Sequence, residues 1–162
     1  MIKDSLAIIV SDYYKKISNG LFLGAIKYCE ENNIGYEKFI VPGALEVSSA
    51  IKIISNKKNN TLFDGYVALG CVIRGETSHF EIVINESSRG LTDLSLNYSL
   101  IIGNGILTVE NSSQAEARAD VDGQNKGGGA AAAALHLVKL KQRWGKPTGK
   151  IGFLSKVENK LV

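Results

Sequence analysis

Cysteine and histidine are scarce in this sequence, two of each in 162 residues. Their spacing gives neither Cys-x-x-Cys nor a mixed Cys/His zinc pattern. Neither a disulfide framework nor a bound metal is expected, and Cys29 and Cys71 are read as reduced, buried thiols. Long hydrophobic runs are also missing. Stretches such as Leu6–Val10 and Ala130–Leu135 fall far short of the roughly 18 residues that a membrane-crossing helix needs, so no membrane partner is expected. The apolar run after Met1–Ser5 is too short for a secretory signal, which makes the cytoplasm the expected location. No charge sign dominates: 19 Lys and Arg stand against 16 Asp and Glu, and the signs are interspersed. The densest basic stretch, Lys139 to Lys150, is interrupted by glycine, proline and Trp144, and no nucleic-acid partner is read from it.

Two nucleotide signatures are absent as well. No Gly-x-Gly-x-x-Gly follows the first strand, and Gly-x-x-x-x-Gly-Lys-Ser/Thr occurs nowhere, so ATP and dinucleotide binding are not expected. A receiver-like signalling domain needs an aspartate at the end of the third strand, where this chain has Gly70-Cys71-Val72. What remains is an ordinary globular balance, 44% hydrophobic and 22% charged, which excludes disorder and collagen-like repeats. The length suits one domain over residues 1–162, with 144–162 as a C-terminal appendage carrying a short apolar segment at Ile151–Leu154.

Strand-length apolar runs alternate with longer amphipathic stretches. Leu6–Val10 is unbroken in its hydrophobicity, which suits a strand covered on both faces. After a loop at 11–16, Ile17, Leu21, Phe22, Ala25, Tyr28 and Cys29 recur at helical spacing, and Asn32-Asn33 with Gly35 ends that helix. Tyr36–Val41 is a second strand and Leu45–Ile54 a second helix, followed by a solvated polar loop at Asn56–Asn60. Tyr66–Val72 is a third strand, and Phe80, Val83, Ile84, Leu91, Leu94 and Tyr98 mark a third helix. The fourth strand is read as Leu100–Ile102, with Ile106–Val109 as a second piece. Helices over Ser112–Ala119 and Lys126–Gln142 complete the chain, with Gly127–Gly129 expected as a flexible entry to the last. This α/β alternation predicts a parallel sheet with helices on both faces and right-handed crossovers. Ligands of such sheets bind outside the carboxyl ends of the strands. That selects the loops at 11–14, 42–46, 71–79 and 103–105.

The richest of these, Val72-Ile73-Arg74-Gly75-Glu76-Thr77-Ser78-His79, puts a glycine turn, two hydroxyls and an imidazole at a strand-to-helix junction. Helix N-termini attract anions, and histidine is the side chain suited to giving and taking protons near neutrality. A surface histidine after a Thr77 or Ser78 cap accounts for the same residues. His136, at helical spacing beside Leu135 and Val138, is read as structural. Arg118 and Lys126 supply the fork geometry and point charge that phosphate recognition uses, or simply a charged helix end. Glu46, just after Pro42-Gly43, serves either helix capping or a substrate hydroxyl.

Taken together, Val41-Pro42-Gly43-Ala44-Leu45-Glu46-Val47, the stretch Leu69 to Phe80, Gly105-Ile106-Leu107-Thr108 and Asn125-Lys126-Gly127-Gly128 resemble the 6,7-dimethyl-8-ribityllumazine synthase family in content, order and spacing over residues 5–142. The resemblance implies a three-layer flavodoxin-like sandwich with a central four-stranded parallel sheet flanked by helices. It also implies condensation of 5-amino-6-(D-ribitylamino)uracil with 3,4-dihydroxy-2-butanone 4-phosphate, with no metal or organic cofactor. Tyr13 would stack on the pyrimidine, Ala44, Leu45 and Glu46 hold the ribityl chain, and Cys71, Val72 and Ile73 bind the uracil edge, with Asn104 also on this substrate. Glu76 and Thr77 would bind the phosphate with Arg118 and Lys126, and His79 would transfer protons. The chain departs from the family at Asn104, where phenylalanine is common, and at Ser11-Asp12-Tyr13-Tyr14, where Arg-Phe-Asn is common. A homopentamer is implied, with Asn104, Arg118 and Lys126 reaching a neighbour's site, and further assembly into a sixty-subunit capsid stays open. A relative that binds lumazine or flavin without catalysis, or one that only forms a shell, is the alternative.

Overall fold

A computed structural model describes residues 4–56 and 63–145. The outer part of the polar run at 56–60 and the segment from 146 onward, including Ile151–Leu154, lie outside the described residues. Along the chain run β1 (Ser5–Ser11), α1 (Lys15–Glu31), β2 (Gly35–Val41), α2 (Ala44–Ser55), β3 (Gly65–Ile73), α3 (His79–Asn97), β4 (Ile102–Val109), α4 (Ser112–Ala119) and α5 (Lys126–Trp144). The four strands pair in the order β2-β1-β3-β4, all parallel. This is the start of the 2-1-3-4-5 order of flavodoxin-like sheets, so the expected α/β three-layer fold is present.

The unbroken hydrophobicity of β1 has the anticipated cause. Its side chains alternate between two apolar clusters because successive residues of a strand face opposite sides. Leu6, Ile8 and Val10 join Leu21, Val67, Leu69, Leu107, Ala131 and Leu135 beneath α1, α4 and α5. Ala7 and Ile9 join Val47, Ile51, Ala68, Leu91 and Leu94 beneath α2 and α3. Fully burying a Leu, Ile or Val side chain contributes about 1.5–3 kcal/mol, so the central strands anchor both layers at once.

Several boundaries differ from those expected. The first helix begins at Lys15, two residues early, because the Ser18 amide finds the Tyr14 carbonyl at 2.9 Å. β4 is one continuous strand through Gly103-Asn104-Gly105 rather than two pieces around a loop. Pairing with β3 runs from Tyr66↔Ile102 to Ile73↔Val109 without a break, and this ladder outweighs the weak strand preference of the two glycines. Both glycines are needed there: a Cβ on Gly103 would collide with the Ala130 carbonyl oxygen of α5, and one on Gly105 would sit 2.7 Å from a Leu69 methyl.

Gly127–Gly129 form the first turn of α5, not a flexible entry. Asn125 caps that helix from a left-handed conformation (φ 45°), its side-chain oxygen accepting from the Gly128 amide at 3.1 Å. The helix also reaches Trp144, past the expected end. His136 is exposed on its outer side. Near the far end of α5, Gln142 Nε2 donates to the buried Asp4 carboxylate at 2.7 Å. Cys29 and Cys71 are free and buried, as expected. Among the described residues no helix is long and apolar enough to cross a membrane.

Candidate functional site

Strand lengths create the site. β1 pairs with β3 only as far as Val10↔Leu69, whereas β3 continues beside β4 to Ile73↔Val109. Residues 70–73 of β3 therefore overhang, with no strand partner on the β1 side. Backbone donors and acceptors at such an overhang suit the flat, polar edge of a heterocycle. Gly70 opens the floor, since a Cβ there would lie 2.8 Å from Ser11 Cβ.

Three loops surround this overhang and enclose a cavity of about 300 Å³ at the carboxyl ends of the strands. The first contributes Tyr13 and Tyr14, the second Gly43 to Glu46, and the third Cys71 to Ile73, Gly75, Thr77 and His79; Phe80 and Val83 of α3 complete the wall. The first two loops are tied down. The Asp12 amide donates to the Val41 carbonyl at 2.9 Å, and the Ser18 hydroxyl to the Ser11 carbonyl at 2.6 Å. Tyr13 and Tyr14 meet edge-on with ring centroids 5.0 Å apart. Tyr14 packs against the core, and burial raises its hydroxyl pKa, with smaller contributions from Tyr13 and Cys71. Tyr13 is 71% exposed, which leaves the Tyr13 ring free to stack on a ligand.

Gly43 is the extended N-cap of α2, and neither it nor Ser78, the N-cap of α3, makes a side-chain capping bond. Ala44 is buried while Leu45 and Glu46 are exposed in the first turn, so the Glu46 carboxylate sits where the helix dipole favours negative charge and also at the cavity. On the third loop the Thr77 hydroxyl accepts from the His79 amide at 3.3 Å, a turn that presents both side chains beside the α3 N-terminus. Burial pushes the Cys71 thiol up from 9.0 to about 11, which keeps it neutral near pH 7. The arrangement offers an aromatic platform, an overhanging backbone edge, a carboxylate, a hydroxyl and an imidazole within one cleft.

Of the residues expected from sequence, Tyr13, Ala44, Leu45, Glu46, Cys71, Val72, Ile73, Thr77 and His79 line this cavity, while Glu76, Asn104, Arg118 and Lys126 do not. Glu76 is exposed in the turn between Gly75 and Thr77. Asn104 lies on the edge strand β4, its side-chain oxygen accepting from the Ile106 amide at 3.0 Å. Residues 103–105 are thus in mid-strand and not in a carboxyl-end loop. Arg118 occupies the last turn of α4 and donates to the Gln114 carbonyl at 3.1 Å. Lys126 opens α5 and is exposed. Tyr14, Gly43, Gly75, Phe80 and Val83 also line the cavity, beyond the residues expected from sequence. The Phe80/Val83 spacing of three, which puts both on one helix face, was the available signal for the last two.

Comparison with known proteins completes the picture. Residues 4–142 match the model of a family described as 6,7-dimethyl-8-ribityllumazine synthase. A Bartonella tribocorum protein named 6,7-dimethyl-8-ribityllumazine synthase is 51% identical over 143 residues, covering 88% of this chain and 93% of that protein. Proteins of the same name from Bartonella henselae (52% over 139 residues; 86% and 89% covered) and Agrobacterium fabrum (49% over 147 residues; 90% and 99% covered) are similarly close.

Proposed function

The chain belongs to the 6,7-dimethyl-8-ribityllumazine synthase family, and from that premise we propose which of its residues perform the reaction. The enzyme is a transferase of riboflavin biosynthesis. It condenses 5-amino-6-(D-ribitylamino)uracil with 3,4-dihydroxy-2-butanone 4-phosphate to 6,7-dimethyl-8-ribityllumazine, releasing phosphate and water.

The observation that carries the assignment is the convergence of the 13–14, 43–46 and 71–79 loops on one cavity. The exposed Tyr13 ring stacks on the pyrimidine, the overhanging backbone of Cys71, Val72 and Ile73 meets its polar edge, and Ala44, Leu45 and Glu46 hold the ribityl hydroxyls. Thr77 and Glu76 form the phosphate turn at the α3 N-terminus. The amine attacks the ketone, water leaves to give an imine, phosphate is eliminated, and ring closure releases a second water. Every step moves a proton, and His79 is the group placed to relay it. General acid–base transfer contributes about 10²- to 10⁴-fold, and holding two substrates in register supplies much of the remaining rate.

Arg118, Lys126 and Asn104 act in a neighbouring subunit's site. Their separation from the cavity of their own chain supports this reading, because among the described residues no lysine or arginine lines the pocket, and a phosphate turn without one is half a binding site. A closed ring satisfies every subunit alike, and we take the assembly to be a homopentamer. The location we assign is the cytoplasm, in keeping with two free thiols. A relative that binds lumazine without making it is not favoured, since it has no need of His79 or Arg118.

Purified protein incubated with both substrates should generate lumazine fluorescence, and His79→Ala should slow it. Tight pyrimidine binding with no product from the wild-type chain would support the non-catalytic alternative instead.

A further inference from the structure

The turn that carries Thr77 and His79 has little to hold it in shape. Residues 74–78 are all exposed, and Gly75 has open space where a side chain would be. Such a segment belongs to the low-stability end of a fold unless it is tethered. Here the tether is Arg74, the first residue beyond β3. Its amide donates to the Val109 carbonyl at 3.0 Å, extending the β3–β4 ladder by one step. Its Nε donates to Glu110 Oε2 at 2.7 Å, and its Nη1 to Glu81 Oε1 at 2.5 Å. The guanidinium carbon lies 4.3 Å from the centroid of the Phe80 ring.

We propose that Arg74 is the positioning residue of the phosphate turn: it joins the start of the turn to Phe80 and Glu81 at its end and to Glu110 after β4, and so fixes where Thr77 and His79 stand. The inference rests on the reading that this turn binds the phosphorylated substrate. Geometry explains the choice of arginine. A planar guanidinium offers two edges to two carboxylates while its face covers a ring, whereas an ammonium offers a point charge.

Charge gives the residue a second effect. Glu81 and Glu110 flank the turn, and Glu76 lies within it. Arg74 engages the first two, and its hydrogen bond is the largest cause holding the Glu81 carboxyl below the usual carboxylate range. Without the guanidinium, the two carboxylates beside the turn would lose the cation that pairs with them. The contacts are solvent-exposed, with side-chain exposures of 41% for Arg74, 46% for Glu81 and 58% for Glu110, and exposed ion pairs add little to global stability. Their consequence is therefore local.

The test compares wild type with Arg74→Ala, Arg74→Lys and Glu110→Gln by steady-state kinetics in both substrates, amide hydrogen exchange over 75–80, and Tm. For Arg74→Ala the expected result is a KM for the butanone phosphate raised about tenfold, the KM for the ribitylaminouracil within about twofold, faster exchange over 75–80, and little change in Tm. Arg74→Lys should recover part of the loss, and Glu110→Gln should show a smaller effect of the same kind; these two decide the matter if Arg74→Ala does not fold. Equal losses for both substrates together with a lowered Tm would reduce Arg74 to a structural residue and overturn the proposal. So would unchanged exchange and unchanged kinetics. A wild-type chain that makes no lumazine would instead sink the reading of the site. Exchange over 75–80 and titration with inorganic phosphate would then judge Arg74 independently, unchanged values in Arg74→Ala counting against it.

Discussion

The Leu21 carbonyl of α1 lies so close to Gly127 in the first turn of α5 that a Cβ on residue 127 would overlap it. Gly24, one turn further along α1, faces the Asn125 side chain in the same manner. Glycine here costs helix propensity and gains a close approach of two helices. Gly127→Ala should destabilise the protein by about 1–3 kcal/mol, since the overlap outweighs the better helix former. Gly129 meets nothing, so Gly129→Ala should be neutral or stabilising by up to about 1 kcal/mol. Urea unfolding of the two variants checks the contrast; equal effects would contradict it.

His79 is exposed at the start of α3 with its side chain at the cavity. His79→Ala should fold normally and lose roughly 10- to 1,000-fold in turnover, because a proton relay goes while substrate alignment stays. Turnover at pH 7 equal to wild type would remove the catalytic role.

Arg118→Ala should weaken binding of the butanone phosphate and of inorganic phosphate by about 2–4 kcal/mol, leaving ribitylaminouracil affinity intact. If sites are shared between neighbours, chains carrying His79→Ala and chains carrying Arg118→Ala should rescue one another when refolded together in equal amounts. About one quarter of sites would inherit both wild-type residues, and activity should climb toward that fraction. Verified mixing with no gain would place both residues in one chain's site.

Glu46 offers two explanations that one substitution separates. Glu46→Gln should weaken ligands bearing the ribityl chain and spare analogues without it. Equal losses in both ligand sets would favour the helix-dipole explanation.

Burial raises both thiols from 9.0 to about 11. Because the folded value exceeds the unfolded one, the folded state binds more protons between these pH values, and the stability the thiols contribute is complete below pH 9 and lost as pH rises toward 11. Denaturation midpoints should fall across that window, less steeply for a Cys29→Ala, Cys71→Ala double variant. At pH 8 neither thiol of the native protein should react readily with an alkylating agent, while both should react in denaturant. Rapid native labelling would contradict the burial argument.

Local patterns made much of this protein legible in its sequence. A run such as Leu6–Val10 requires apolar cover on both faces, the helical spacing from Ile17 to Cys29 requires one buried stripe, and the strand-then-helix order requires parallel pairing with crossovers. Three of the four selected loops line the cavity for the same reason, since the carboxyl ends of parallel strands are where such folds leave room. Tertiary structure decided the rest through contacts distant in sequence. The ladder with β3 and the backbone of α5 made Gly103-Asn104-Gly105 a strand, although the local sequence reads as a break. Arg74 acquired its partners seven and thirty-six residues away, a juxtaposition no spacing rule encodes. Folding also left Arg118, Lys126 and Asn104 outside the cavity, because sequence specifies which groups exist and only the packed sheet and its helices determine which of them can reach the same space.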